Sequence, residues 1–353
     1  MENKVTAKNV LIIGHKGYIG TILTNYLLKN LKDKINILGI DLNLFSLNDY
    51  SKKNLKLKKN FNKDCRNFKL KDIKLIPDVI VYLAAVSNDP MGREFKDATK
   101  EINFLSCVKF AKEAKQLGVK KFIFASSCSM YGSSGNTMKK ENDKLSPLTD
   151  YAHSKVSAEK RLKRISSKNF KIISLRFATA AGLSNNLRLD LVFNDFIANA
   201  IFEKKIVLLS SGKSWRPLIH VNDISKVIKW SIFFNSKKNF LPLNIGSKKW
   251  NFRIIDLAYK ISALMPGTKV LINNTSNHDK RSYKVNFGLY KKLAPKHQPS
   301  MNFKKAVNEL ANFLKKEKNN LKNFRNSPKW SRLARLKYLV KNKKINKRLY
   351  KIN

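Results

Sequence analysis

Acidic residues are scarce in this sequence. Its 353 residues include 24 Asp and Glu against 72 Lys and Arg, which gives a formal net charge of +48. Such an excess suits a polyanionic partner when the cations are concentrated on one face or in one tail. Here the lysines are spread over almost every predicted element. We therefore interpret the charge as compositional and do not expect nucleic acid to be the partner.

Cysteines and long apolar runs are also scarce. Cys65, Cys107 and Cys128 are widely spaced and form no C-x-x-C pair. This spacing argues against a disulfide framework or a metal site and suits a reducing compartment. The longest apolar stretch, 75–86, is too short to span a bilayer. Because the first ten residues lead directly into a predicted strand, we expect no signal peptide and a cytoplasmic protein.

The first half of the chain alternates short apolar runs with helical patterns. The predicted strands cover 9–13, 35–40, 78–83, 120–125 and 171–176, and the predicted helices cover 18–31, 94–117 and 151–166. Uniformly apolar strands that alternate with helices indicate a parallel sheet covered on both faces. The predicted fold class is therefore α/β, with a doubly wound parallel sheet.

The pattern changes after Arg176. Asparagine, glycine and proline punctuate the later segments, which are more irregular. We expect a dinucleotide-binding domain over 1–176 and a smaller, mixed α/β substrate-binding portion over 177–320. The second portion is expected to make several excursions back to the first.

A strongly basic tail covers 321–353. Trp330, Leu333, Leu336 and Val340 have helical spacing within it. We favour a helix that packs on the body of the protein or on a neighbouring subunit. The alternative is peripheral docking on an anionic membrane where polysaccharides are assembled.

Three glycines follow the first predicted strand and open the first predicted helix. Gly14 permits a tight turn, Gly17 lets a pyrophosphate approach the backbone, and Gly20 allows close packing of helix and strand. The pyrophosphate would then lie at the helix N-terminus, where free N–H groups and the dipole favour an anion. Asp41 ends the second strand, where a carboxylate binds the adenosine ribose hydroxyls and repels a 2′-phosphate. The predicted cofactor is NAD.

A second constellation points to proton and hydride transfer. Tyr151 and Lys155 are four residues apart at the start of a predicted helix and therefore share a face. The lysine charge is expected to lower the pKa of the tyrosine, which could then remove a hydroxyl proton. Ser127 follows a strand end, where ligands bind in parallel sheets.

These motifs together resemble the extended short-chain dehydrogenase/reductases, in particular the NAD-dependent epimerase/dehydratase family. The motifs are the three glycines, Tyr82-Leu83-Ala84-Ala85, Ser126-Ser127 before Met130-Tyr131-Gly132, and Tyr151 with Lys155. The resemblance runs over nearly the whole chain. It implies a Rossmann-type sheet, a nucleotide-diphosphate sugar as substrate, and a homodimer formed through the predicted helices 94–117 and 151–166.

The resemblance also implies roles for individual residues. The cofactor-binding set is Gly14, Gly17, Tyr18, Ile19, Gly20, Asp41, Asp64, Leu83, Ala84, Ala85, Asn103 and Lys155. Asn103 is the family asparagine that shapes the helix beside the active site. Arg216 and Arg281 match arginines that hold the nucleotide diphosphate, and Asn194 matches an asparagine near the sugar phosphate. Arginine forks suit diphosphate oxygens. Arg216, Arg281 and Asn194 could each also have a purely structural role. For Asn194 we favour neither the structural role nor the substrate contact.

The short turn after Ser127 narrows the reaction. The family's 4,6-dehydratases carry Asp-Glu there as acid and base, whereas this chain has Cys128 and Ser129, and an ordinary thiol has a pKa of about 8.5. Cys128 is one position away from the place of a cysteine in 3,5-epimerising relatives, so we expect it to be buried packing.

The remaining groups, Ser127, Tyr151 and Lys155, predict a 4-epimerase-like reaction through a transient keto-sugar. A nucleotide-sugar 4-ketoreductase that consumes NADH or NADPH is the alternative. A catalytically silent nucleic-acid-binding protein on the same scaffold is the alternative from another class.

Overall fold

The computed structural model describes residues 8–45, 57–273, 281–317 and 323–352. The strands are β1 (Lys8–Ile13), β2 (Ile35–Ile40), β3 (Lys59–Phe61), β4 (Val79–Tyr82), β5 (Lys121–Ser127), β6 (Ser133–Lys139), β7 (Lys171–Phe177), β8 (Thr179–Ala181), β9 (Lys205–Leu208), β10 (Trp215–His220), β11 (Phe240–Ile245), β12 (Asn251–Arg253), β13 (Lys269–Ile272) and β14 (Ser282–Val285). The helices are α1 (Tyr18–Leu31), α2 (Asp89–Glu94), α3 (Lys96–Lys100), α4 (Cys107–Gln116), α5 (Asp150–Ile165), α6 (Val192–Phe202), α7 (Val221–Phe233), α8 (Ile254–Ser262), α9 (Gly288–Leu293), α10 (Phe303–Lys316) and α11 (Arg332–Lys341).

A central parallel sheet organises the described residues. Its strand order is β11-β7-β5-β4-β1-β2-β3, and all neighbours are parallel. The order reverses at β1, which lies between β2 and β4. Ligands bind at such a switch point, beyond the carboxyl ends of the strands. The prediction of a doubly wound, Rossmann-type α/β fold is therefore confirmed.

The strands are buried because both faces of the sheet are covered. Val10 and Ile12 of β1 belong to a core that includes residues of α1 and α7. Leu11 and Ile13 point to the opposite face, into a second core with residues of α4 and α5. A strand in a sheet that is covered on both faces must be apolar along its whole length. For this reason the strands could be predicted from short apolar runs in the sequence.

The predicted helix over 94–117 differs from the structure. The chain forms the short helices α2 and α3, then a π-helical segment, Glu101–Ser106, and finally α4. Asn103 lies in the π segment and is fully buried. A π segment inserts an extra residue into the helical ladder and is frequent at functional sites. Local hydrophobic spacing does not reveal it.

A second apolar core supports the irregular part of the chain. It joins α6, α8 and α10 with the small sheet β12-β10-β8 and the strand pair β13-β9. Strand β11 lies in the central sheet although it comes from residues 177–320, and α7 packs on α1. Residues from the irregular part of the chain thus contribute both a strand to the central sheet and a helix to the layer that covers it.

The tail packs on the body of the protein. Leu336 and Leu339 of α11 are buried with Val86, Met91 and Phe95 in a separate cluster. This arrangement agrees with the packed helix that we favoured over a membrane-docked one. Within the described ranges, no helix has both the length and the apolar character needed to cross a membrane.

Candidate active site

A cleft of about 760 Å³ opens along the carboxyl ends of the central strands. It begins at the glycine loop between β1 and α1, passes the ends of β2, β4 and β5, and reaches the segment before α6. The volume is in the upper range of ligand pockets. All the predicted site residues except Asn103 and Asn194 line this cleft.

The glycine loop leaves room for a ligand and for the next strand. Gly14 has φ +93°, and a Cβ built on it would lie 2.8 Å from the backbone nitrogen of Ala84. A Cβ on Gly20 would overlap the carbonyl oxygen of Gly14. Both positions therefore require glycine, as the sequence pattern predicted. Leu83 and Ala84 both donate their backbone N–H to Ile13 and thereby fix the loop after β4 against β1.

The N-terminus of α1 faces the cleft without a cap. Its N-cap residue, Gly17, has no side chain to satisfy the first-turn N–H groups. These groups, in Tyr18 and Ile19, border the cleft. Asp41 lies beside them, because its carboxylate accepts hydrogen bonds from the backbone of Lys16 at 3.0 Å and of Asn43 at 2.8 Å. An uncapped helix N-terminus next to a carboxylate fits a pyrophosphate and a ribose.

Asp64 and Asn103 have different positions. Asp64 borders the cleft, and its carboxylate is held by Arg66 at 2.6 Å. Asn103 lies behind the wall: its amide bonds the N–H and the carbonyl of Val86 and the hydroxyl of Ser154 at 2.8–3.1 Å. Asn103 therefore positions the loop after β4 and helix α5, as the family resemblance implied, and does not itself face the cleft.

The predicted catalytic side chains converge. Ser127 is the last residue of β5, while Tyr151 and Lys155 occupy the first two turns of α5. The ammonium of Lys155 lies 5.7 Å from the centroid of the Tyr151 ring and donates to the carbonyl of Ala125 at 2.8 Å. Helix α5 is placed by Thr149, whose hydroxyl accepts from the N–H of Ala152 at 3.2 Å.

Burial is the largest influence on the pKa values of Tyr151 and Lys155. It raises the pKa of Tyr151 to about 12, although a hydrogen bond with Ser127 and the charge of Arg188 act in the opposite direction. Burial lowers the pKa of Lys155 to about 8. The sequence predicted that the Lys155 charge lowers the pKa of the tyrosine, whereas in this structure burial raises that pKa and the cation that acts against burial is Arg188.

In the turn after β5, the side chains of Cys128 and Ser129 point in different directions. The hydroxyl of Ser129 lies 2.9 Å from that of Ser127 and borders the cleft. The thiol of Cys128 points inward, 3.1 Å from the carbonyl of Arg176, and burial raises its pKa. Cys128 is therefore packing, as expected, and Ser129 is a polar neighbour of Ser127 that the sequence reasoning left without a role.

The predicted substrate residues lie at the other end of the cleft. Arg216 donates to the carbonyls of Trp215 and Arg281, and its guanidinium is 5.2 Å from the centroid of the Tyr283 ring. The guanidinium of Arg281 pairs with Asp89. Two arginines that were distant in sequence are thus neighbours, and both border the cleft.

Asn194 does not border the cleft. It is fully buried, its amide oxygen accepts from Gly182 N at 2.9 Å, and its amide nitrogen donates to Arg188 O at 2.8 Å. Its position therefore agrees with a structural role, one of the two interpretations that the sequence left open. Asn194 holds the segment before α6.

The sequence reasoning missed an important pair in that segment. Arg188 forms two hydrogen bonds with Asp190, at 3.0 and 2.9 Å, and a third with Ser87 at 2.8 Å. Asn88 donates to the same aspartate at 2.7 Å. The contacts with Ser87 and Asn88 link residues about a hundred positions apart, so no local spacing could have indicated them.

Most carboxylates that line the cleft are paired with arginines. In the described part of the chain five carboxylates border it, and four of these pair with arginines: Asp64 with Arg66, Asp89 with Arg281, Asp190 with Arg188 and Asp195 with Arg325. Asp41 is instead held by backbone N–H groups. The carboxylates that line the cleft are thus held by arginines or by backbone N–H groups.

Comparison with known proteins agrees with this geometry. The sequence model of the NAD dependent epimerase/dehydratase family matches residues 10–246, more than half of the chain. The chain belongs to this family, and the resemblance inferred from the motifs is confirmed. The family's cofactor, NAD, is thereby also confirmed. The glycine loop, the uncapped helix and Asp41 fit such a dinucleotide.

The relatives include proteins named as an epimerase and as a dehydratase. The chain is 30% identical over 230 residues to the uncharacterized UDP-glucose epimerase YtcB of Bacillus subtilis, covering 62% of this chain and 71% of the relative. It is 29% identical over 285 residues to the dTDP-D-glucose 4,6-dehydratase of Dictyostelium discoideum, covering 74% and 63%.

Among solved structures, the fold is similar to that of a UDP-N-acetylglucosamine 4-epimerase from Methanobrevibacter ruminantium M1 in complex with UDP-N-acetylmuramic acid. The TM-score is 0.77 at 23% identity, over 88% of this chain and 99% of that one.

Proposed function

We propose that this protein is an NAD-dependent nucleotide-sugar epimerase of the 4-epimerase type. The observation that carries the proposal is the convergence of Ser127, Tyr151 and Lys155 in a cleft whose turn after β5 offers no acid. The substrate class follows from Arg216 and Arg281, which lie together at the end of the cleft away from the glycine loop and suit a diphosphate.

The proposed reaction uses few side chains. The phenol oxygen of Tyr151, once deprotonated, takes the proton of a sugar hydroxyl and later returns it. Ser127 hydrogen-bonds the same oxygen as it becomes a carbonyl, with Ser129 orienting its hydroxyl. NAD, when bound, would supply the hydride acceptor for oxidation of the sugar carbon and the hydride donor for its reduction from the opposite face. Lys155 would hold the nicotinamide ribose, and its ammonium adds a positive charge 5.7 Å from the centroid of the Tyr151 ring.

A dehydratase needs more than these groups. Elimination of water requires an acid and a base beside the sugar in addition to the hydride step. The family's Asp-Glu pair is replaced by Cys128, which points away from the cleft, and by Ser129, whose hydroxyl is a weak acid and a weak base. The carboxylates that line the cleft belong to other segments than this turn, and arginines or backbone N–H groups hold them.

A ketoreductase is the second candidate. It would use Ser127, Tyr151 and Lys155 in the same way and consume reduced cofactor at each turnover. The observation that favours an epimerase over it is that Arg332 and Leu336 of the C-terminal segment line the cleft together with the glycine loop, since a covered cofactor suits a reaction that regenerates it.

The deciding experiment is incubation with a panel of UDP-, dTDP-, GDP- and CDP-sugars, with the sugar followed by NMR and no cofactor added beyond what the protein retains. We expect conversion of one sugar to its epimer. Conversion that appears only with added NADH or NADPH would establish the ketoreductase. Loss of water from the sugar would establish a dehydratase, and inertness toward the whole panel together with salt-dependent binding to an oligonucleotide would support the binding protein.

A further inference from the structure

The C-terminal segment borders the cofactor end of the cleft. Residues 331–350, which we call the C-terminal cover, lie outside the region matched by the family model. Four of its residues line the cleft with the glycine loop and the end of β2: Ser331, Arg332, Leu333 and Leu336 at the start of α11. Leu349 lines it at the other end of the segment, near Asp64.

The far end of the cover is held by Arg66. The guanidinium of Arg66 binds Asp64 and donates to the backbone carbonyls of Arg348 and Leu349 at 2.5 and 3.0 Å. It also stacks on Tyr350, 3.5 Å from the ring centroid. The carboxylate that the family resemblance assigns to the adenine is thus connected through one arginine to the last residues of the chain.

Arg332 is the charged group that the cover brings to the cleft. Its side chain is buried, and its guanidinium donates to the carbonyl of Asn186 at 3.1 Å and to that of Phe45 at 3.5 Å. The amide of Asn186 in turn donates to the carbonyl of Lys16 in the glycine loop at 2.7 Å. Arg332 is therefore fixed across from the loop that would hold a pyrophosphate.

In the described part of the chain, carbonyl oxygens are the partners of Arg332, and no carboxylate lies within ion-pair distance of it. By contrast, Arg66, Arg188, Arg281 and Arg325 each pair with an aspartate that lines the cleft. Burial, followed by repulsion from Arg188, lowers the pKa of Arg332 to about 9, and the more distant Asp190 and Asp41 oppose this only partly. A buried cation of this kind is costly unless an anion neutralises it.

We propose that the C-terminal cover is part of the cofactor site and that Arg332 supplies a positive charge to the pyrophosphate of the bound dinucleotide. The glycine loop binds the pyrophosphate from one side through backbone N–H groups, and Arg332 faces it from the other. A dinucleotide held between them leaves only when the cover moves. Slow release suits a reaction that regenerates its own cofactor, but the proposal requires only that NAD binds and does not depend on which sugar is converted.

The test compares Arg332→Gln with Arg335→Gln. Arg335 is a matched control, because it lies on the same helix and donates to the carbonyl of Leu44 at 3.0 Å but does not line the cleft. Binding of ADP-ribose is measured by titration calorimetry. We expect Arg332→Gln to weaken it about 10- to 100-fold, the usual loss for a charge-assisted hydrogen bond. Arg335→Gln should bind ADP-ribose like the unmodified protein, and both variants should bind UDP unchanged.

Equal affinity of the two variants for ADP-ribose would overturn the role of Arg332. Because a buried substitution can unfold a protein, a second measurement uses the unmodified chain. Backbone hydrogen exchange is followed over the cover with and without ADP-ribose. We expect slower exchange in α11 and in the last ten residues when the ligand is bound. Unchanged exchange there, with protection confined to the glycine loop, would overturn the assignment of the cover to the cofactor site.

Discussion

The two ends of the cleft are built in different ways. At the cofactor end, backbone N–H groups of a helix start, the carboxylate of Asp41 at a strand end and Arg332 in the first turn of α11 face the cleft, so regular elements hold them in place. At the substrate end, the two arginines already have protein partners: Asp89 for Arg281, and the carbonyls of Trp215 and Arg281 for Arg216. The first end is preorganised, whereas the second must exchange partners when an anionic substrate enters.

The difference has an energetic consequence. A preformed site loses little free energy on binding, because its groups need not be moved. A guanidinium that leaves a carboxylate for a diphosphate gains only the difference between two ion pairs, and the abandoned carboxylate must find water. Substrate affinity at this end therefore depends on how the pairs rearrange, and cofactor affinity depends mainly on geometry that is already present.

The largest effect is expected where the two ends meet. Tyr151→Phe removes the proposed base without changing either binding end, so turnover should fall about 10³-fold, within the range for a general base. NAD and UDP affinities measured by calorimetry should stay unchanged. Tyr259→Phe, an exposed tyrosine on α8, is the control and should keep full turnover. Robust turnover by Tyr151→Phe would show that another group moves the proton.

Lys155→Met tests a buried charge. Turnover should fall about 100-fold, because the ammonium proposed to hold the nicotinamide ribose is lost, and a hydrogen bond from a charged group contributes about 1.5–3 kcal/mol. Stability at pH 7 should rise by about 1–3 kcal/mol, because a desolvated ammonium is replaced by an apolar chain. The free energy of unfolding is measured with urea.

The stability gain expected for Lys155→Met depends on pH. Burial lowers the pKa of Lys155 from 10.5 to about 8 in the folded protein. Between these values the unfolded chain binds more protons than the folded one, so the penalty of the lysine disappears as pH rises through this window. The gain in stability from Lys155→Met should therefore be smaller at pH 10 than at pH 7. A variant less stable than the original at pH 7 would contradict this account.

Arg281→Gln addresses the substrate end alone. We expect UDP affinity to fall about tenfold, since one charge-assisted contact to the diphosphate is lost while Arg216 remains. NAD affinity should not change. Arg253→Gln is the matched control, because this exposed arginine also pairs with an aspartate, Asp256 at 2.7 Å, but lies outside the cleft. Equal UDP affinity in the two variants would mean that Arg281 only holds Asp89.

The same contrast explains which features could be predicted from the sequence. Gly14, Gly20 and Asp41 were identifiable because their geometric requirement is local: a turn, a close contact and a strand end within thirty residues. Tyr151 and Lys155 shared that advantage, since i and i+4 on one helix need no tertiary information, and Ser127 was identifiable from its place at a strand end. By contrast, the contact of Arg188 with Ser87 joins segments that approach only after the sheet has formed, and no periodic pattern encodes it.

Two other features lay beyond sequence reasoning for a different reason. The π-helical segment at Asn103 replaces part of a predicted regular helix, because the buried amide is held by Val86 and Ser154 from two other elements. The pKa of Tyr151 was expected to be lowered by its neighbour Lys155. The balance is instead set by burial, a property of the whole packing and not of residue spacing.

Asp41→Asn gives the smallest expected effect and examines the cofactor end. Two backbone N–H groups hold the Asp41 carboxylate, and an asparagine oxygen can keep one of these contacts. NAD affinity should therefore fall only about three- to tenfold. The preference for NAD over NADP should narrow as well, because the negative charge that repels a 2′-phosphate is gone. Asp33→Asn, an exposed change in the turn after α1, serves as the control. If the ratio of the two affinities is the same in both variants, Asp41 braces the glycine loop without reading the ribose, and the cofactor end selects its ligand by shape alone.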